Sequence, residues 1–391
     1  MSAILTPADE NEIADMVREA NAAITPLEIQ GGGTRSGFGR PVQAAKTLSL
    51  KELSGITLYE PGALTLVARA GTPVATIEKT LAAEGQQLAF EPMDHRALYA
   101  SKGEPTIGGV VAANVSGPRR IQAGACRDAL IGVRFIDGRG EIIKNGGRVM
   151  KNVTGLDLVK LMAGSHGTLG VISEVSFKVL PVNERAATLA FHGLSSKEAV
   201  GILCGALGSP FEITGAAHLP QNSEGPLTLL RVEGFASQVD YRLERLKATI
   251  GTGLECSVIE GAEHERLWRF VRDAEMFKGT DNPVWRLSLK PSDAPAIEEA
   301  LAKKTDAKIM FDWGGGLIWV GVDDAENGAT ETIRALVSGF GGHATLMRGP
   351  EPLRGSIAPF QPQAKPVARL SAAIRGKFDP GGILNPGRMV A

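Results

Sequence analysis

An α+β fold in two unlike parts is predicted by two features of the sequence. Glycine clusters lie mostly in the first half and in the last ten residues, and a β-α-β-β-α-β order occurs twice between residues 187 and 349. The divisions expected are an N-terminal unit over 1–181, a second α+β unit over 182–350, and a tail over 351–391 that folds back onto the first unit. Pro181 marks the first boundary.

Along the first unit, Thr6 as N-cap and Pro7 at the first helical position open a helix carrying Ile13, Met16, Val17 and Ala20. Residues 26–30 (PLEIQ) read as a strand running into Gly31-Gly32-Gly33. Residues 64–70 read as a strand, 73–81 as a helix stopped at Gly85, and 86–90 as a strand. Residues 105–117 (PTIGGVVAANVSG) are too rich in glycine to predict a helix. Residues 130–136 and 140–145, joined through Asp137-Gly138, form a hairpin. A short helix over 157–164 precedes a strand over 170–179.

Beyond Pro181 glycine thins. Strand 187–193, helix 195–207, strands 212–219 and 227–235, helix 236–249 and strand 254–260 make the first β-α-β-β-α-β unit. After a helix over 262–277, strand 284–290, helix 292–303, strands 307–313 and 317–323, helix 325–338 and strand 343–349 repeat it. Such split units belong to ferredoxin-like folds, and two can share one antiparallel sheet.

Bulk properties narrow the function. A formal charge of -1 in 391 residues gives no field that would draw nucleic acid or an anionic membrane. The first residues lack the basic and apolar regions of a signal peptide, and no run is long enough to span a bilayer. Cys126, Cys204 and Cys256 have neither metal-site nor disulfide spacing. They fit packed thiols in a reducing, cytoplasmic compartment, with any membrane association made through partners. The chain is therefore expected to be soluble.

The 48 glycines exceed the usual share of about 7%. Residues 30–40 (QGGGTRSGFGR) are not a P-loop, because Phe38 stands where lysine is required. The dinucleotide fingerprint also fails, because Ser36 stands where the third glycine is needed. Two readings stay open. One is a flexible surface loop. The other is a nest of inward N–H groups for phosphate oxygens, supplemented by Thr34, Arg35 and Ser36. Two further glycine segments, 107–117 and 164–172, suggest one long ligand with an anionic middle, as a dinucleotide has.

Four ordered segments carry a resemblance: the GGGT loop after a strand, PTIGGVVAANVSG, AGSHGTLGVISEVSFKV and the closing DPGGILNPGR. Together they resemble the vanillyl-alcohol-oxidase-type flavoproteins with a PCMH-type FAD domain. The stretch 146–172 narrows the likeness to flavin subunits of bacterial glycolate oxidase. The resemblance implies a PCMH-type FAD-binding domain of two subdomains, with the repeated α+β unit as its cap. It also implies that Gly31, Gly32, Gly33, Thr34, Arg35, Ser36 and Gly37 wrap the pyrophosphate, with Pro92 beside the flavin. Ile107, Gly108, Gly109, Ala113, Asn114, Ser116 and Gly117 would line the flavin and ribityl chain. Gly167, Gly170 and Ile172 would flank the adenine half, and Asn385 would approach from the tail. A GlcD-like flavin subunit and a GlcF-like iron–sulfur subunit are the implied partners.

Three departures matter. Covalent relatives carry histidine after the glycine run, where this chain has Thr34, so FAD is expected to be non-covalent. Many relatives carry Glu where His166 stands; this histidine either neighbours the flavin or only fits the glycine turn. Relatives that oxidise 2-hydroxy acids also carry a histidine-rich segment for metal and base, whereas Phe311-Asp312-Trp313-Gly314-Gly315-Gly316 has no histidine. No metal site is expected. Arg286 is the candidate clamp for a substrate carboxylate, with a surface ion pair as the alternative. Trp313 packs either on flavin or substrate, or in the core. The expected activity is FAD-linked oxidation of glycolate or D-lactate to the 2-oxo acid, by this chain or by a GlcD-like partner for which it relays electrons or which it stabilises. A non-redox assembly protein is the contrasting class.

Overall fold

The computed structural model describes residues 3–147 and 155–389. Residues 148–154, part of the 146–172 stretch quoted above, lie outside the described residues.

The N-terminal part holds two larger sheets. In the first, Lys46–Ser49 lies between Ala3–Leu5 and Leu27–Gln30, all parallel. The helix linking the outer strands begins later than Thr6-Pro7 suggested. It runs Glu10–Ala22, and the Asp9 side chain accepts from the Asn11 and Glu12 N–H groups. The first residues are drawn instead into the strand Ala3–Leu5. The second sheet is antiparallel, in the order Ile56–Glu60, Thr65–Arg69, Val171–Lys178, Leu130–Ile136 and Ile142–Gly146. Its last two strands are the expected hairpin.

Two elements differ from expectation. Only Gln86–Gln87 pairs as strand, with Leu180–Pro181, while Leu88, Ala89 and Phe90 are buried beyond it. Residues Ile107–Ala112 do form a helix. Its glycines are used for close approach: a Cβ on Gly108 would lie 2.5 Å from the Ala70 Cβ. Burial of Ile107, Val110 and Val111 offsets the low propensity of the glycines.

The second part is one eight-stranded antiparallel sheet. Its order is Cys256–Glu260, Arg185–His192, Leu227–Gly234, Ile213–Leu219, Ala307–Asp312, Leu317–Val322, Val284–Ser288 and His343–Arg348. Each β-α-β-β-α-β unit supplies four neighbouring strands, and the halves join where His218 pairs with Phe311. Side chains alternate between faces with the strand period. Leu189, Leu230, Phe311, Ile318 and Leu346 pack with the helices of the two units. Ala190, Leu229, Met310, Trp319 and Met347 belong to the core shared with the N-terminal part. One face of the sheet is therefore turned toward the N-terminal part.

The tail helix Lys365–Phe378 is followed by a tight turn in which the Asp379 carboxylate accepts from the Ile383 and Leu384 N–H groups. Leu384 then bridges to Leu27, beside the glycine loop.

Candidate functional site

Three adjoining cavities make a groove between the N-terminal part and the cap sheet, and His166 lies in the wall of all three. The middle one is walled by residues 28–36, with Thr106, Gly109, Ala113, Asn385 and Arg388. On one side, Gly108, Gly167, Gly170 and Ile172 wall a narrower extension. On the other, the groove continues under the cap, among Met93, His95, Ser116, Arg286, Trp313, Trp319, Met347 and Phe360.

The glycine loop is fixed by close neighbours, one a backbone carbonyl and one a side chain. A Cβ on Gly32 would lie 1.6 Å from the Glu104 carbonyl oxygen, and one on Gly31 would lie 2.2 Å from Thr106 Oγ1. Gly33 has φ +73°, a region that favours glycine. The flexible surface loop left open above is thereby replaced by a packed one. Asn385 joins tail to loop: its Oδ1 accepts from the Ile29 N–H at 2.8 Å, and its Nδ2 donates to the His166 carbonyl at 2.9 Å.

Arg35 is the charge at the centre. Its Nη1 lies 3.5 Å from His95 Nδ1, and a Cβ on Gly109 would lie 2.8 Å from its Nη2. The acid that acts on it, Asp94, is already held by Arg96. Burial pushes the Arg35 pKa down to about 10. A half-buried cation without a paired anion among the described residues is costly, so an anionic occupant is favoured there. Burial, and then Arg35, holds the His95 imidazole well below its usual range. Burial, aided by Arg388 and Arg35, brings His166 to about 3. Both imidazoles are neutral at neutral pH.

Under the cap, the Arg286 guanidinium carbon is 5.2 Å from the Trp313 ring centroid, and that of Arg120 is 4.6 Å away. Burial and the Arg120 charge bring Arg286 to about 10. Trp313 has φ +52° and is fixed at both ends. Its N–H donates to Asp312 Oδ1 at 2.7 Å, and its Nε1 donates to the Gly117 carbonyl at 3.1 Å. Burial lifts the Asp312 pKa to about 7.

Behind this wall, Glu91 ties the two parts together. Its carboxylate receives both terminal nitrogens of Arg231 at 2.8 Å and the Arg119 N–H at 2.8 Å, and Arg119 reaches Glu233 at 2.7 Å. Burial pushes the Glu91 pKa up, but the charges and hydrogen bonds of Arg231 and Arg119 outweigh it and hold it at about 2.

Across its whole length this chain is similar to the glycolate oxidase subunit GlcE of Escherichia coli (strain K12). Identity is 34% over 380 residues, 97% of both chains. The chain belongs to the GlcE family. The FAD binding domain family matches residues 1–146. The GlcE-family chain is also similar to the glycolate oxidase subunit GlcD of Bacillus subtilis (strain 168), at 32% identity over 48% of this chain and 38% of GlcD. In fold it resembles a solved alkyldihydroxyacetonephosphate synthase, with TM-score 0.70 and 16% identity over 98% of this chain and 75% of that one. It is an FAD-binding oxidoreductase, and the groove fits FAD: bare backbone and Arg35, which has no ion-pair partner among the described residues, occupy its middle, with a largely apolar wall at the narrower end and a mixed wall of aromatic and charged side chains under the cap.

Most residues singled out from the sequence border this groove. Gly31 to Ser36, Gly108, Gly109, Ala113, Ser116, His166, Gly167, Gly170, Ile172, Arg286, Trp313 and Asn385 are on its walls. Five stand behind them. Gly37 packs against the Tyr99 ring, Pro92 and Ile107 are buried, Asn114 accepts from the Arg127 N–H, and Gly117 accepts from Trp313. The sequence reading missed Phe38, His95, Trp319, Met347, Phe360 and Arg388 on the walls. Four other histidines lie in the second part of the fold. His218 contacts Thr228 at 2.9 Å and His264 contacts Thr188 at 2.8 Å, both buried, while His192 contacts Ser257 at 2.9 Å and His343 is exposed.

Proposed function

We propose that this chain is the FAD-bearing subunit of a glycolate oxidase-type complex that converts glycolate or D-lactate to the 2-oxo acid, with GlcD-like and GlcF-like subunits as partners. The observation that carries this reading is the continuity of the groove from the glycine loop to Arg286. Bound FAD would supply a two-electron acceptor.

The chain's own residues divide the remaining work. The amides of residues 31–36 and the Arg35 charge hold the diphosphate. Thr34 offers no nucleophile for a covalent flavin link. Arg286, backed by Trp313, receives a carboxylate, and Trp313, Trp319 and Phe360 limit water around it. Proton removal is the weak step. His166, at about 3, is a poor base at neutral pH, and His95 is depressed in the same direction. That observation favours the version in which a GlcD-like partner removes hydride and this flavin relays electrons.

Anaerobic mixing of the purified FAD-loaded chain with glycolate distinguishes the two versions. Rapid loss of the flavin's visible absorbance assigns oxidation to this chain. Loss only after a GlcD-like partner is added supports the relay. No change with the partner present contradicts both.

A further inference from the structure

The tail helix Lys365–Phe378 buries none of its 14 residues. By contrast, Ser196–Leu207 buries Ala199, Val200, Leu203 and Ala206, and Ala236–Thr249 buries Val239, Leu243 and Leu246. Residues 362–373 are exposed at every position, with Val367 at 51% and Leu370 at 62%. The first turns of the helix therefore stand clear of the body. A helix of this length is marginal in water without a packed face.

Its charge is one-sided. Lys365, Arg369, Arg375 and Lys377 lie in a stretch with no Asp or Glu between Glu351 and Asp379. Its two ends both come from the groove. Before it, Phe360 lines the cavity under the cap and packs on Phe38 at 5.3 Å; after it, Asn385 and Arg388 line the middle cavity. The excursion is thus anchored at both feet beside the FAD site.

We propose that this helix is the docking element for a protein subunit that exchanges electrons with the FAD of this chain, and that the partner receives it in an apolar groove rimmed by carboxylates. The inference rests on the reading of the chain as a complex subunit. Exposure around the whole first half of the helix suits an enclosing protein groove. A lipid surface is the weaker match, because binding there grows with inserted apolar area and Val367 and Leu370 are the helix's large exposed apolar side chains.

The test uses the tagged full chain co-expressed with its GlcD-like and GlcF-like subunits. The double variant V367E/L370E is expected to retain at least tenfold less partner while keeping its FAD content. K365E/R369E is expected to lower retention in the same direction, with a weaker dependence on salt. Wild-type retention of either subunit on both double variants overturns the inference. So does binding of the wild-type chain alone to phosphatidylglycerol vesicles, if V367E/L370E abolishes that binding with the complex intact. A wild-type chain that carries FAD yet retains neither subunit instead overturns the subunit reading itself.

Discussion

The two walls of the groove are built on opposite principles. On the N-terminal side the wall is mostly main chain. At Gly31, Gly32 and Gly108 an added methyl group would meet atoms at 2.2, 1.6 and 2.5 Å. On the cap side the wall is side chain, with Arg286, Trp313, Trp319, Thr345 and Met347 projecting from strands and their connections. Peptide amides recognise phosphate by geometry that tolerates almost no substitution. Side chains recognise a small acid through one charge and a shape, which substitutions can retune. The contrast suits a wall for FAD facing a wall for what the flavin meets.

Three substitutions probe that contrast, and the largest effect belongs to the main-chain wall. Gly32→Ala forces the loop away from Glu104 and is expected to reduce FAD content to background, read by flavin absorbance per chain. Gly62→Ala, whose added methyl group has nothing within 4 Å, should leave it unchanged. Equal effects of the two would remove the argument from close packing.

Next comes the tie between the walls. Glu91→Ala leaves buried Arg231 with Glu233, at 3.5 Å, as its remaining ion-pair partner among the described residues, and a cost of about 3 kcal/mol is expected in chemical denaturation. The pH dependence has a definite sign. The folded-state pKa of Glu91, about 2, lies below its ordinary value of 4.5. Its contribution is therefore present above pH 4.5 and is lost as pH falls toward 2. The variant should lose this part of the acid sensitivity.

The smallest effect is expected on the cap side. Arg286→Lys keeps the charge but loses the planar fork, so affinity for a 2-hydroxy acid should fall by about tenfold with FAD content unchanged. Perturbation of the flavin spectrum on titration with glycolate measures it. If FAD were lost with the clamp, the division of labour between the walls would be wrong.

Legibility in the sequence followed the same division. The eight strands of the cap were readable because they are short apolar runs bounded by turn residues, although the edge strand Cys256–Glu260 buries none of its residues. The helix Ile107–Ala112 was not, because intrinsic propensity counts Gly108 and Gly109 against it and cannot see Ala70 waiting for a residue without a side chain. Thr6-Pro7 gave a plausible helix start that lost to Asp9, whose carboxylate caps the first turn. At the site, glycine runs pointed to the main-chain wall. His95 and Phe360 carried no such signal, since one follows EPMD in a loop and the other precedes an exposed segment. Glu91 reads as an ordinary loop acid until folding places Arg231, 140 residues away, against it.

The account depends above all on a dissociable FAD held by bare backbone beside Thr34. Acid precipitation of the purified, FAD-loaded chain tests this directly. The expected result is one FAD per chain, all of it released into the supernatant. Flavin retained on the precipitated chain, or a folded chain that takes up no FAD, would contradict it.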